Sequence, residues 1–332
     1  MLSEKVGATL AEKIIPYGGQ AVIEGVMFGG QHTQVTAVRR KSGEIETFEL
    51  ERKTIPWPQA LKRIPLLRGI VALIESSANG AKHLQYATEI YERDEAGIEE
   101  NESESSSTSK LQLVLGVAIV GVLSFLFGKV IFTVIPAVLA SWIFDPYIKN
   151  MFVQSLIEGV IKTILLLSYL WIISRAPLIK RVFQYHGAEH KVISAYENGE
   201  ELTVKNVQKY STLHYRCGSS FIIFTVIVGV IVYSFFTYDS IWERVWIRLA
   251  LLPFVIGLSF EVLQATNAVR NIPVLRYLGY PGLWLQKLTT QEPDDDQVEV
   301  SIAAFVRMRE CEKEYVTKRK DTSIANTDMV QT

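Results

Sequence analysis

Cysteine is nearly missing from this chain of 332 residues. Cys217 and Cys311 are too few for a disulfide scaffold, and Met1 to Ala11 holds Glu4 and Lys5 but no apolar run of the kind a cleaved secretory leader needs. An excess of one charge is missing too. Lys plus Arg number 34 against 35 Asp plus Glu, so nothing global argues for nucleic acid or an acidic substrate. The stretch Gly18 to Met27 has neither a G-K-[ST] ending nor a G-x-G-x-x-G pattern, and no convincing helix follows it, which excludes nucleotide binding by either phosphate loop. Apolar residues are what the chain has in plenty. They make up 48% of it and give a positive mean hydropathy of +0.18 although 21% of the residues are charged, so they must be bunched. Bunching of that kind predicts a membrane protein.

Residues 17–91 read as a small cytoplasmic β-containing unit with an amphipathic helix. Gly18-Gly19 opens it, Gln20 to Met27 is mostly β-branched or apolar, and Gly29-Gly30 closes that run. Gln34 to Arg40 and Glu44 to Arg52 then alternate around Lys41-Ser42-Gly43, a hairpin signal. Leu66 to Arg93 carries Leu67, Ile70, Val71 and Ile74 at helical spacing. Residues 92–110, ERDEAGIEENESESSSTSK, have the composition of a disordered acidic and serine-rich linker.

Residues 111–316 are predicted to form a helical membrane domain with four spans. Leu111 to Phe144 would be about 50 Å long as one helix, more than a hydrocarbon core of about 30 Å requires, and Pro136 supplies a bend. Phe152 to Ile173, Ser219 to Tyr238 and Trp246 to Val269 each approach the ~20 residues of a span. Lys and Arg number eight in Arg39 to Arg68 and seven in Arg175 to Arg216, whereas Asp145 to Met151 holds only Lys149 and Thr237 to Trp246 only Arg244. That bias puts both termini and the 174–218 loop on the cytoplasmic side of a multi-pass protein. A cytoplasmic helix over 297–316 and a flexible tail over 317–332 complete the expected plan: mainly α, polytopic, with a small N-terminal β unit.

The strongest chemical signal is Tyr185-His186-Gly187-Ala188-Glu189-His190-Lys191. On a helix, His186, Glu189 and His190 share one face, the H-x-x-E-H arrangement in which two histidines hold zinc and the glutamate activates water. His214 and Cys217 stand at the other end of the same cytoplasmic loop. All four as ligands would make a closed structural site, while Glu189 acting as base requires one of them to stay out of the coordination sphere. Glu261, 71 residues beyond His190 and within the fourth span, is an alternative third ligand and, as an intramembrane acid, a functional residue by default. His32 and His83 read as isolated surface or packed histidines. Glu158 and Lys162, spaced i, i+4, are expected to neutralise each other, and Lys129 either partners Glu261 or snorkels at a kink. Glu24 is a possible accessory to the site. The acids of Gln291-Glu292-Pro293-Asp294-Asp295-Asp296 are read first as helix caps and dipole partners, with a Mg or Mn site second.

Four ordered motifs, GGQAVIEGVM at 18–27, YHGAEHK at 185–191, H-x-x-C-G at 214–218 and TTQEPDDDQVEV at 289–300, make the chain resemble the YqhQ family of bacterial membrane proteins over about residues 17 to 312. Members often carry proline where this chain has Tyr215. The resemblance implies a metal-dependent enzyme with metal at His186, Glu189 and His190, without naming a substrate. Together with the residue pattern it leads to an expected zinc-dependent hydrolase embedded in a bacterial cell membrane, acting at the cytoplasmic interface on a membrane peptide or lipid-linked substrate. A metal-stabilised scaffold without catalysis, and a small-solute or ion transporter using Glu261, are the alternatives; four spans are few for a transporter, though a homo-oligomer could supply a pathway.

Overall fold

The computed structural model describes residues 17–52, 60–97, 128, 130–144 and 146–330. The protein is mainly helical, with one small antiparallel sheet near its N-terminus.

The sheet is a meander of β1 (Gly18–Val22), β2 (Gly25–Gly29), β3 (Thr33–Arg39) and β4 (Ile45–Glu51) in the order β1-β2-β3-β4. The run from Gln20 to Met27 is therefore two strands, folded back at Ile23-Glu24, where Val22 pairs with Gly25. Glu24, the second residue of the turn, takes a positive φ of 53°, as a type II reversal requires. The expected second hairpin forms between β3 and β4. Gly43, at φ 91°, donates its N–H to Arg40 O and lets Arg40 N–H reach Glu44 O at 2.8 Å.

Both faces of the sheet are covered. One carries Val26, Phe28, Val35 and Ala37, packed on Tyr185, Ala188 and Val192 of α4 (Pro177–Glu197) and on Val298, Phe305 and Met308 of α9 (Asp295–Val330). Val22 and Val38 on the other face meet Ala87 and Ile90 of α1 (Leu67–Ala96). The alternation of period two in β2 and β3 is what lets three helices share a sheet of four strands. α1 extends five residues into the expected linker; residues 98–110 lie outside the described residues. α9 continues as helix to Val330, through most of the segment expected as a flexible tail.

The apolar part comprises a π-helical turn (Val130–Val134) leading into α2 (Ile135–Phe144), then α3 (Met151–Ile173), α6 (Ser220–Tyr233) and α7 (Ile241–Ala268). Leu111 to Phe127 and Lys129 lie outside the described residues. The π turn sits where the bend before Pro136 was expected. Among the described residues, α3 and α7 are long and apolar enough to cross a membrane, and only 17% and 22% of their most apolar windows are buried, which a helix inside a soluble core would not show. α6 stops at Tyr233, so its 14 residues span about 21 Å, short of the 20-residue span expected. The helical loop between α3 and α6 contains α4 and the short α5 (Val204–Val207); a 3-10 turn (Leu275–Gly279) and α8 (Tyr280–Thr289) follow α7.

Two acids inside these helices have partners that spacing did not foretell. Glu158 on α3 is bonded to Arg244 at 2.8 Å and Arg248 at 2.5 Å, both on α7, and the charge of Lys162, one turn along, acts on it as well. Helical neighbours lie along one face, whereas the guanidinium groups come from the facing helix and fill the buried side. Glu261 on α7 binds Arg68 at the start of α1 and accepts the Leu66 N–H at 3.1 Å. It fastens α1 to α7, next to Gly257, where an added Cβ would come within 2.5 Å of Leu66 O.

Candidate metal centre

α4 begins at Pro177, whose missing N–H costs nothing in the first turn of a helix, and its buried face carries the motif into the space between β1, α8 and the chain before α6. His186 donates its Nδ1–H to Thr289 O at 2.8 Å, and His190 donates its own to Thr212 O at 2.5 Å. A backbone carbonyl can only accept, so each ring must carry its proton on Nδ1, leaving the Nε2 lone pair of the neutral imidazole for another partner. His186 Nε2 lies 3.2 Å from Cys217 Sγ. One donor atom each from His186, His190 and Cys217 falls within 4.8 Å of the others. Two imidazoles oriented by backbone carbonyls and one thiol are a donor set suited to zinc. Burial pushes the His190 pKa down, which favours the neutral ring that coordination needs.

Glu189 is the buried acid of the cluster, only 6% exposed. Burial raises its pKa, against the opposing pull of His186, His214 and the nearby backbone N–H of Gly19 on β1. A cavity of about 320 Å³ opens beside it, lined by His186, Glu189 and His190 on one side, residues 17–21 on another and residues 214–219 on a third. His214 borders the cavity without joining the three donors. Its ring centre stands 5.7 Å from that of His190, its Nδ1 accepts the Arg216 N–H, and its Nε2 faces Glu197 at 3.7 Å. That proton arrangement is the reverse of the one in His186 and His190. Burial, with Arg270 adding to it, lowers the His214 pKa.

The remaining sequence candidates are placed elsewhere. Glu24 pairs with Arg181 and accepts from Tyr185 Oη at 3.4 Å, at the turn between β1 and β2. Glu261 is held by Arg68, as described. The acids at 292–296 have structural partners: Glu292 pairs with Lys191 at 2.8 Å, Asp295 accepts from Gln208, and Asp294 opens α9 with its N–H bonded to Gln297 Oε1, half of a capping box. His32 stacks on Tyr315, and His83 is buried beneath Phe48 with Nδ1 bonded to Thr36 Oγ1.

Several contributors went unseen in the sequence because they act through their backbone or through lack of a side chain. Thr212 and Thr289 offer carbonyls. Gln286, fully buried, holds the His214 peptide from both sides at 2.8 Å. Gly187 lies against Gln291 O, where an added Cβ would stand 2.0 Å away. The glycine inside H-G-A-E-H and the threonine pair before Gln291 were the available signals.

The sequence profile of the family described as "Protein of unknown function (DUF1385)" matches residues 64–311. A protein of Bacillus subtilis (strain 168) described as "Uncharacterized protein YqhQ" is 56% identical over 289 residues, which is 87% of this chain and 91% of that protein. No solved structure matches. The matched region runs from the approach to α1 to Cys311 on α9 and includes every donor of the cluster, and on that extent the chain belongs to the DUF1385 family.

Proposed function

We propose that the chain is a membrane-embedded, zinc-dependent hydrolase with four spans, both termini cytoplasmic, working at the cytoplasmic face of a bacterial membrane on a membrane peptide or lipid-linked substrate. One observation carries the reading: His186, His190 and Cys217 converge, both rings are anchored through Nδ1, and a buried carboxylate adjoins them. Zinc held by those three residues would supply a Lewis acid and lower the pKa of a water molecule. Glu189, buried beside the three donors and lining the same cavity, is suited as a carboxylate to take a proton from the attacking water and return it to the leaving group. His214, turned toward Glu197, leaves the donor set at three, as an open catalytic site needs, whereas a closed scaffold site would require it as a fourth ligand. The ion pair of Glu261 with Arg68 speaks against using that acid in transport.

Metal analysis of detergent-purified protein tests the assignment. Wild type and His214→Ala should carry one zinc per chain, and His186→Ala and Cys217→Ser should lose it. Glu189→Gln should keep the zinc and lose the biological activity. Wild type without stoichiometric metal would sink the proposal, and zinc lost from His214→Ala but retained in Cys217→Ser would replace it with another ligand set.

A further inference from the structure

We propose that β1 docks an extended polypeptide along the cavity beside His186, His190 and Cys217, so that the substrate is a peptide chain and not a lipid headgroup; this assignment rests on the hydrolase reading above. The strand order leaves β1 at an edge of the sheet. The two-residue turn at Ile23-Glu24 makes Val22 and Gly25 the closing hydrogen-bonded pair, and alternation along an antiparallel ladder then gives Gln20 and Gly18 the same inward role. Gly19 and Ala21 must point their N–H and C=O groups away from β2. Glu189 comes up against β1 at this position, since an added Cβ at Gly19 would stand 3.0 Å from its Cγ and Cδ. Gly19 O and the N–H and C=O of Ala21 have no further partner among the described residues.

This open edge does not face bulk solvent. Residues 17–21 form one wall of the cavity whose floor holds His186, Glu189 and His190. An unpaired strand edge is a template for another strand, and peptides bind such edges by main-chain hydrogen bonds. A Cβ at Gly18 would meet nothing within 4 Å, so the entrance is roomy. The wall offers alternating amide donors and acceptors, the complement of a peptide backbone. It offers little to a phosphate, because Arg216, the one cationic residue lining the cavity, is paired with Glu197.

The test uses full-length, zinc-loaded protein in lipid nanodiscs and three probes read by calorimetry: acetohydroxamate, N-acetyl tetra-alanine hydroxamate, and the same peptide methylated at alternate amide nitrogens. Docking on β1 predicts that the tetra-alanine probe binds at least tenfold tighter than acetohydroxamate and than its methylated analogue. In Ala21→Pro, which removes an outward N–H from an edge strand, the ratio between the two peptides should fall toward one. Hydrogen exchange at the Ala21 amide, measured with plain N-acetyl tetra-alanine amide, reads docking without using the metal. Protection there with no acetohydroxamate binding supports docking and overturns the metal reading. Acetohydroxamate binding with equal affinity for both peptides and no protection overturns docking and leaves the metal reading standing; failure of every probe overturns both.

Discussion

Gly187→Ala tests how the motif helix is seated. The new Cβ would stand 2.0 Å from Gln291 O, whereas ordinary contacts begin near 3.4 Å, so α4 and the chain after α8 must part by about 1.4 Å. That chain cannot yield freely, because Gln291 N–H is bonded to Phe183 O at 2.9 Å on the same helix. His186, next to the glycine, depends on Thr289 O two residues before Gln291, at 2.8 Å. Adding the displacement takes that bond to about 4 Å, past any useful hydrogen bond, and frees the ring to turn and exchange tautomers. Losing an orienting partner of this kind costs roughly 10- to 100-fold in metal affinity, about 1.4 to 2.8 kcal/mol. Competition for zinc against a chromophoric chelator, in detergent at fixed pH, measures it. Gly18→Ala is the control, since its Cβ meets nothing within 4 Å. If Gly187→Ala holds zinc within twofold of wild type while remaining folded, the link between helix seating and ring orientation is wrong.

Two further perturbations address stability. Glu158→Ala strips Arg244 and Arg248 of the carboxylate they share, and leaving charge unpaired in a buried setting costs about 3 to 5 kcal/mol, so the unfolding temperature in detergent should drop clearly; an unchanged value would show that the cluster stabilises nothing. His83 should make the sheet unit acid-sensitive. Burial, with Lys82 adding to it, pushes its pKa down to about 4, so between about 6.5 and about 4 the unfolded chain binds the proton that the folded one refuses. Stability is complete above that window and falls as pH drops through it. Unfolding followed from pH 7 to 4 should show a smaller loss in His83→Gln than in wild type, and equal slopes would refute the assignment.

The fold was legible where the signal is local. Period-two alternation and the Lys41-Ser42-Gly43 turn place β3 and β4 to within a residue or two, and helical spacing places α1. The break at Ile23-Glu24 was hidden because a run whose only polar residues before Gly25 are Gln20 and Glu24 looks continuous, and the turn holds just one residue at positive φ. The end of α6 at Tyr233 was equally hidden, since Phe235, Phe236 and Tyr238 prolong the apolar composition after the helix itself has stopped.

In the candidate site, the divide runs between what a side chain announces and what the backbone supplies. His186, Glu189, His190 and Cys217 stand out by residue type and spacing. Which residues stay outside the donor set depends on contacts 17, 193 and 157 positions away: Glu197 turns His214, Arg68 holds Glu261 and Arg181 holds Glu24. Each rejected candidate is thus satisfied by a specific partner, and a carboxylate or imidazole already engaged would have to give up that partner before it could bind metal. The three donors that remain are the ones whose only side-chain bonds are compatible with coordination: Nδ1 to carbonyls for the two rings, and, for the thiol, Ser219 Oγ at 3.0 Å and His186 itself. The cluster is defined as much by the pairing of its neighbours as by its own residues, which is why a motif read along the chain could propose four or five ligands, while the packing brings the donor atoms of three of them within 4.8 Å of one another.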